Sequence, residues 1–335
     1  MSARRIAYLS FTDRGAALAE RLRAALGGEA SCTRRIEGFS LSQWTAGAFG
    51  AFDALVFVGA VGIAVRAVAP FLKSKARDPA VVAVDECGRF AVPVVSGHLG
   101  GANDLAREIA ATCGAVAVIT TATDVSGLFA VDEWAKHQNC AVTDPHGIKA
   151  VSAKILAGQT ACVRSEWPVE GECPAGVTLT DGADWDVWVD VRRHEGGLCL
   201  APKALVLGVG CRRGTPQEAL ETAFRELCGE QNLWPEAVCG AATIDLKAEE
   251  AGLLDFCAAH GWPLTCYSAE ELRRAEGTFT PSAFVERTTG VDNVCERSAV
   301  LAGGEALLTG KHAGNGVTMS LAWRPFRLDW RWKNA

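Results

Sequence analysis

Apolar residues along the chain form two patterns: short continuous runs, and longer segments in which they recur every three or four positions. Runs such as Ile6–Ser10, Ala54–Val58 and Phe90–Val95 predict strands, because a strand covered on both faces is apolar throughout. The periodic segments at about 15–26 and 102–112 predict helices, since this spacing places the apolar side chains on one face. The first third of the chain is therefore predicted to be an α/β domain with a parallel sheet covered on both faces.

The pattern changes between residues 127 and 202, where four tryptophans stand among glycine, proline and acidic residues. Residues 128–156 are predicted to be mostly helical, with short strands around 161–164 and 185–192. This composition indicates a small connecting α+β domain.

Alternating strands and helices return at about residue 204. Thr215-Pro-Gln-Glu218 predicts a helix start with Thr215 as N-cap, and Ser268-Ala-Glu-Glu271 predicts a capping box. Further strands are predicted at 204–209, 241–246, 264–267, 306–309 and 317–323. The expected organisation is an N-terminal α/β domain (1–127), a middle domain (128–203) and a compact C-terminal α/β domain (204–335), on which the tail from Asp329 to Lys333 packs.

Composition narrows the class of protein. The 335 residues are 49% hydrophobic and 21% charged, as in ordinary globular domains, and no apolar run reaches the length of about 20 residues that a membrane span needs. The N-terminus has no apolar core long enough for a signal peptide, so a cytoplasmic location is expected. A net charge of −6 argues against general nucleic-acid binding.

The cysteine pattern is that of a reducing compartment. There are 13 cysteines, an odd number, and none forms a Cys-x-x-Cys pair. Disulfide frameworks and zinc ribbons need regular paired spacing, so reduced and mostly buried thiols are expected, with no metal held by the protein.

Glycine-rich turns between a predicted strand and a predicted helix are the main candidate binding sites. Backbone N–H groups in such turns can approach an anion, and the helix dipole favours negative charge there. The candidates are Gly97, Gly100, Gly101 and Asn103 in one turn, Gly208, Gly210, Cys211, Arg212 and Thr215 in a second, and Gly59 and Gly62 in a third.

Positive charge is concentrated in a few segments of this acidic chain. Arg66, Lys73 and Lys75 lie in one segment, Arg212 follows the second glycine turn, and Lys311 precedes a Gly-Asn-Gly turn. Such clusters suit an anionic small molecule, although a solvated surface would show the same residues.

Dinucleotide binding is not favoured at the second turn. The spacing there is Gly-x-Gly-x-x-x-Gly, and Asp245 is too far along the chain to be the ribose-binding acid. The chain also has no Walker A sequence, no zinc-peptidase helix and no Gly-x-Ser-x-Gly elbow.

His98 is the leading candidate for acid–base chemistry, because it follows a strand and an imidazole titrates near neutral pH. Glu86 and Asp124 end neighbouring predicted strands, and either could orient His98 or act as a base. A histidine bonded to its turn and solvated turn carboxylates are the structural alternatives. Cys211 is expected beside a helix N-terminus and two arginines, which lower a thiol pKa, although packing explains it equally well.

Several long motifs, in one order, resemble a known family. Phe57-Val-Gly-Ala-Val-Gly-Ile-Ala-Val-Arg66, Asp78-Pro-Ala-Val-Val-Ala-Val-Asp85, Ser96-Gly-His-Leu-Gly-Gly-Ala-Asn103 and Thr121-Ala-Thr-Asp124 resemble the N-terminal region of the CbiG family. Gly208-Val-Gly-Cys-Arg-Arg-Gly-Thr215, Ala242-Thr-Ile-Asp245 and Gly290-Val-Asp-Asn-Val-Cys-Glu-Arg297 resemble its C-terminal domain.

The resemblance implies a cobalt-precorrin-5A hydrolase of anaerobic cobalamin biosynthesis. Such an enzyme opens the δ-lactone of the macrocycle and releases acetaldehyde to give cobalt-precorrin-5B. Cobalt would come with the substrate, so no cofactor is implied. The carboxylates of the substrate would engage the basic residues and glycine turns of both lobes, with a glycine-lined pocket on each.

Two other functions stay open. One is a non-catalytic protein that binds corrinoid intermediates, and the other is a nucleotide-dependent enzyme that uses the glycine turns for phosphates. The expected partner is a small cobalt-corrinoid molecule, without nucleic acid or membrane. The sequence leaves room for a homodimer and for transient contact with neighbouring pathway enzymes.

Overall fold

The computed structural model describes residues 4–74, 78–97, 100–120 and 127–332. The chain divides into a first compact unit that runs to Glu133 and a second that spans Trp134–Trp332. The three-domain division at 127 and 203 stays a prediction. Within the described residues, no helix is both long and apolar enough to cross a membrane.

The first unit contains a six-stranded sheet in the order β2-β1-β3-β4-β5-β6. Every neighbouring pair is parallel except β4 and β5, which form an antiparallel hairpin. The strands are β1 Ile6–Ser10, β2 Glu29–Cys32, β3 Ala54–Val58, β4 Ala80–Val84, β5 Phe90–Val95 and β6 Val116–Ala117. The predicted α/β class is confirmed, and the sheet is mixed rather than wholly parallel.

Helices cover both faces of this sheet, as predicted. They are α1 Asp13–Leu26, α2 Leu41–Ala51, α3 Val61–Val68 and α4 Ala102–Cys113. Successive side chains of a strand point to opposite faces, so Val56 packs with α1 and α4, whereas Leu55 packs with α2 and α3. This two-sided burial explains the continuous apolar runs.

The β4–β5 hairpin sets the position of the glycine turn that follows it. Asp85 fixes the hairpin turn, because its carboxylate accepts the backbone N–H groups of Cys87, Arg89 and Phe90 at 2.7–2.9 Å. The hairpin reverses the chain, so the C-terminal end of β5 lies beside the N-terminal end of β4.

The second unit begins with a five-stranded sheet in the order β10-β8-β11-β12-β7. Its strands are β7 Cys140–Val142, β8 Ala161–Ser165, β10 Val177–Leu179, β11 Val187–Val189 and β12 Leu198–Pro202. The prediction that residues 128–156 are mostly helical is only partly right, since β7 separates the helices α5 Val131–His137 and α6 Pro145–Leu156.

A second sheet in this unit, in the order β15-β14-β13-β17-β16, carries the candidate site. Parallel strands β13 Leu205–Cys211, β14 Val238–Ile244 and β15 Leu264–Tyr267 are extended by antiparallel β17 Val317–Trp323 and β16 His312–Gly314. The helices are α7 Gln217–Glu230, α8 Ala251–His260, α9 Ala269–Arg273, α10 Ala283–Thr289 and α11 Cys295–Gly303.

Two local predictions in this region are wrong and one is confirmed. The hydroxyl of Thr215 donates to the Arg212 carbonyl at 2.8 Å, and Pro216 is the N-cap of α7 instead. The predicted strand at 306–309 is reduced to one isolated bridge, at Leu307. The capping box of Ser268 and Glu271 is present.

The C-terminal tail packs on the start of the second unit rather than on the region after 204. Residues Leu328–Asp329 form β18, which pairs with β9 Val169–Glu170. The Trp134 indole donates to the Asp329 carbonyl at 2.6 Å and stacks on Trp330 with centroids 5.1 Å apart. The tail therefore holds α5 beside the two-stranded sheet that β18 forms with β9.

Candidate functional site

A pocket of about 770 Å³ opens where the parallel strands β13 and β14 end, in the second unit. The carboxyl ends of parallel strands are the usual ligand position in α/β folds. The pocket is lined by Gly210, Cys211, Arg212, Arg213, Ile244, Leu246, Lys247, Ser282, Phe284, Val285, Thr288, Thr289, Asn293, Val294, Cys295, Lys311, Ala313, Gly314, Asn315, Gly316, Val317 and Thr318.

Charge in this pocket has one sign. Arg212, Arg213, Lys247 and Lys311 line it, and no aspartate or glutamate is among its lining residues. Lys247 pairs with Glu250 at 2.8 Å. In the described ranges the side chains of Arg212, Arg213 and Lys311 form no ion pair within 4.0 Å, although Arg213 lies near enough to Glu250 to lower the pKa of that carboxyl. Arg212 and Lys311 therefore offer the pocket positive charge that no paired carboxylate neutralises.

The structure brings four of the predicted binding residues into this pocket: Gly210, Cys211, Arg212 and Lys311. Gly208 and Thr215 are not in its lining. Gly208 lies under α11, where a Cβ would clash with the Cys295 carbonyl, so close helix packing explains this glycine.

The Cys211 side chain lies on the core side of β13 rather than at a helix N-terminus. Burial raises the pKa of its thiol, despite the opposing effect of Lys247. The prediction that its surroundings lower the pKa is wrong, and the packing alternative fits the structure.

In the second glycine turn, a backbone N–H group binds a carboxylate of the protein itself, that of Glu250. The Gly214 N–H donates to the Glu250 carboxylate through a short hydrogen bond. Lys247 binds the other oxygen of this carboxylate, and these contacts hold the pKa of Glu250 below its ordinary value. The Arg212 N–H is also used, since it donates to the Gly316 carbonyl at 3.1 Å. The turn is therefore fixed so that it presents the side chains of Arg212 and Arg213.

Glu296 is a buried carboxylate next to the pocket that the sequence did not single out. It is 2% exposed, and its carboxylate accepts four hydrogen bonds, from the N–H and hydroxyl of Thr280, the Asn293 amide and the Lys311 N–H, at 2.6–3.0 Å. These bonds join the segment before α10 to the loop that carries Lys311. The available signal was the acidic residue inside the motif 290–297.

In the first unit, the turn after β5 is tightly built. Ser96 has a left-handed backbone (φ 58°), and its hydroxyl donates to the Asp78 carbonyl at 3.0 Å. A Cβ on Gly100 would clash with Ser96, and one on Gly97 would lie 2.9 Å from the Asn103 amide oxygen. The first amides of α4 are used within the turn, since the Ala102 and Asn103 N–H groups donate to Ser96 and Gly97.

Asp78 links Lys73 to this turn. The Asp78 carboxylate accepts the Lys73 N–H at 3.0 and 3.1 Å, while its carbonyl accepts the Ser96 hydroxyl. Lys73 is exposed, so its ammonium is available at the edge of the sheet where β4 begins. Gly101, which precedes α4 in a left-handed conformation, belongs to the same edge.

The other predicted residues of this unit lie elsewhere. Gly59 and Glu86 follow β3 and β4 at the opposite edge, where the Glu86 carboxylate accepts the Thr12 hydroxyl at 2.6 Å. The five residues of β4 place the two ends of the strands roughly 15 Å apart. Because β5 runs antiparallel to β4, Glu86 lies at the opposite end of these strands from Gly97, and its suggested role beside His98 stays a prediction. Gly62 and Arg66 lie one turn apart on α3, and Arg66 is exposed.

Three predicted residues, His98, Asp124 and Lys75, lie outside the described residues. The chain leaves β6 parallel to β5, toward the edge that holds Gly97 and Gly100. Within the described ranges, no group of three or more histidine, cysteine, aspartate or glutamate side chains is placed to hold a metal ion.

Comparison with known proteins identifies both outer parts of the chain. Residues 43–124 match the family model described as Cobalamin synthesis G N-terminal, and residues 205–322 match Cobalamin synthesis G C-terminus. The second match contains the whole pocket lining.

Full-length relatives agree with these matches. A protein of Salmonella typhimurium named cobalt-precorrin-5A hydrolase is 35% identical over 94% of this chain and 97% of its own length. One of the same name from Priestia megaterium is 34% identical over 83% of this chain and 80% of its own. A solved structure, described as a putative cobalamin biosynthesis protein G homolog from Sulfolobus solfataricus, has a TM-score of 0.41 and 22% identity, with 96% and 98% of the two chains covered. The chain belongs to the cobalamin synthesis G (CbiG) family.

Proposed function

We propose that this protein is a cobalt-precorrin-5A hydrolase. It opens the δ-lactone of the macrocycle and releases acetaldehyde to give cobalt-precorrin-5B in anaerobic cobalamin biosynthesis. Relatives of that name cover most of the chain at about 35% identity. The observation that carries the proposal is the pocket at the ends of β13 and β14, whose charged lining residues are all cations.

The pocket suits the substrate, a large ring that bears several acetate and propionate carboxylates. Arg212, Arg213 and Lys311 supply charge for these carboxylates, and an arginine can bind one through two parallel hydrogen bonds. The rest of the lining mixes aliphatic side chains and Phe284 with glycines, thiols and neutral polar groups, and the apolar side chains can contact the face of a flat macrocycle. Cobalt enters as part of the substrate, and we propose that the protein needs no cofactor of its own and acts in the cytoplasm.

Lactone opening needs an activated water, and the pocket lining holds neither a carboxylate nor a histidine. Its thiols are poor bases at neutral pH, because the pKa of buried Cys295 is raised to about 11 and that of Cys211 is also raised. We assign water activation to His98, with Asp124 as its carboxylate partner, because an imidazole titrates near neutral pH and His98 follows a strand end in the turn 96–103. Glu86 is fixed at the opposite edge of its sheet.

The proposed reaction has two steps. Water adds to the lactone carbonyl while His98 takes its proton, and N–H groups of the turn at Gly97 and Gly100–Gly101 stabilise the oxyanion. The carbon–oxygen bond then breaks to leave a carboxylate and an alcohol. Loss of the alcohol proton turns this carbon into the aldehyde, and the electrons of the breaking carbon–carbon bond pass to the macrocycle, which is protonated.

The direct test is to incubate the purified protein with cobalt-precorrin-5A and measure acetaldehyde. We expect turnover by the native protein, and a fall in kcat of about a hundredfold or more in His98→Ala with KM little changed. His146→Ala, at an exposed histidine on α6, is the matched control. Near-normal turnover by His98→Ala would remove this residue from the mechanism. Binding of substrate without acetaldehyde would instead support the corrinoid-binding alternative.

A further inference from the structure

The helix α10, residues Ala283–Thr289, forms one wall of the pocket and buries none of its residues. A surface helix ordinarily buries its apolar face against the protein. Here Phe284 and Val285, with Thr288 and Thr289 one turn later, face the pocket. Phe284 is 66% exposed, and Leu246, which follows β14 and also lines the pocket, is 64% exposed.

Val285 packs partly on the apolar cluster that includes Ile244 and Val294, and hydrogen bonds at both ends also hold α10 in place. Before the helix, Thr280 is held by Glu296, and the Ser282 N–H donates to the Asp292 carbonyl at 2.8 Å. After it, the Gly290 carbonyl accepts the Arg273 guanidinium at 3.0 Å. The fold thus holds α10 firmly while it leaves the Phe284 side chain uncovered at the pocket.

We infer that Phe284 and Leu246 hold the flat apolar face of the corrinoid ring and determine specificity for a macrocycle over other polycarboxylates. This inference rests on the proposed function. Two observations identify the ring as the occupant of this surface. The exposed side chains continue the lining of a cavity of about 770 Å³, and the charges of that lining are all positive. A ligand with an apolar face and a carboxylate rim complements both features.

The two side chains serve a different purpose from the cations. The cations attract any small polycarboxylate, whereas Phe284 and Leu246 gain free energy only from a ligand that removes their apolar surface from water. Contacts of this kind are made in the ground state and the transition state alike, so they act on KM more than on kcat.

The test compares Phe284→Ala, Phe284→Leu and Leu246→Ala with Leu254→Ala, a half-exposed leucine of α8 that does not line the pocket. Cobyrinic acid, a stable cobalt corrinoid with free carboxylates, is titrated while tryptophan fluorescence is followed. Citrate, a polycarboxylate without a ring, is titrated against the bound corrinoid. Thermal unfolding and molar mass are recorded for every variant.

We expect the Kd for cobyrinic acid and the KM for cobalt-precorrin-5A to rise about tenfold in Phe284→Ala. Phe284→Leu should recover part of this loss, while kcat, Tm and citrate affinity stay unchanged. Leu254→Ala should bind as the native protein does. Unchanged corrinoid affinity in both Phe284→Ala and Leu246→Ala would overturn the inference, as would a molar mass that halves in Phe284→Ala, which would assign Phe284 to an interface between copies.

The inference and the proposed function fail separately. Native protein that binds cobyrinic acid through Phe284 but releases no acetaldehyde would refute the hydrolase and support the ring contact. If the native protein releases acetaldehyde and the Phe284→Ala and Leu246→Ala variants have the same KM, the hydrolase is supported and the ring contact is refuted.

Discussion

The Lys311 N–H donates to the Glu296 carboxylate at 2.8 Å, so a buried acid fixes the loop that brings a lysine to the pocket. The same carboxylate holds Thr280, which leads into α10 on another side of the cavity. Two pocket walls that are distant in sequence are therefore joined through one side chain.

Replacement of Glu296 by glutamine should lower stability and weaken substrate binding together. The amide puts an NH₂ group against donors that need an acceptor, and a buried unpaired donor costs about 1–3 kcal/mol. We expect the free energy of unfolding in urea to fall by about 2–3 kcal/mol and KM to rise. Glu305→Gln, at an exposed position, is the control, and equal stability of the two variants would contradict the assignment.

Removal of the Lys311 charge should affect binding rather than folding. In Lys311→Met we expect KM to rise about tenfold with kcat little changed, because the ammonium attracts a substrate carboxylate. KM should also depend less on salt than in the native protein, since salt screens that attraction. Measurement of KM from low to high salt checks this, with Lys149→Met, an exposed lysine of α6, as the reference. An unaltered salt dependence would place the Lys311 ammonium away from the bound substrate.

Gly208→Ala should unfold the region that carries the pocket. The added Cβ would meet the backbone carbonyl of Cys295, which a packed helix cannot move cheaply. A loss of about 3 kcal/mol or more is expected in thermal or urea unfolding. Gly229→Ala is the opposite case, because nothing lies near a Cβ there and alanine favours the helix, so a gain of about 0.5–1 kcal/mol is expected. A Gly208→Ala protein that kept its stability but lost substrate binding would show that Gly208 contacts the ligand rather than α11.

Acidification should release the turn that presents Arg212 and Arg213. The hydrogen bond from Lys247, with that from Gly214, holds the pKa of Glu250 below its ordinary value of 4.5. A carboxyl whose pKa is lowered on folding stabilises the folded state above its unfolded pKa, and this contribution disappears as pH falls through the lowered pKa.

The measurement is the Tm of native protein and Glu250→Gln from about pH 7 to about pH 3. The native protein should be the more stable near neutral pH, and the difference should vanish at the acid end, where both side chains are uncharged. Glu249→Gln, an exposed neighbour, should match the native protein throughout. A difference that grows on acidification would have the wrong sign for this ion pair.

The sequence predicted the first sheet well because its strands are buried on both faces, which makes each strand a continuous apolar run. It did not reveal strand direction. The chain between β4 and β5 is far too short for a parallel crossover, so the length of the Glu86–Arg89 turn carried the missing information. The antiparallel hairpin places Glu86 and the turn at Gly97 at opposite ends of the strands.

The pocket was only partly predictable. Local signals found Gly210, Arg212 and Lys311, because glycine turns and cations are visible in any short segment. The Glu296 network and the α10 wall depend on partners up to 17 residues away, and no periodicity records which carboxylate will be buried beside which loop. Thr215 has the composition of an N-cap, yet its hydroxyl satisfies the Arg212 carbonyl instead.

The pairing of β18 with β9 bears on how the protein is made. Trp134 is stacked on Trp330 and bonded to Asp329, so α5 receives this cover only after residues 328–330 have been synthesised. Removal of residues 328–332 would uncover the Trp134 indole, which is otherwise fully buried. The packing of the segment around Trp134 therefore depends on a contact with residues 195 positions later in the chain.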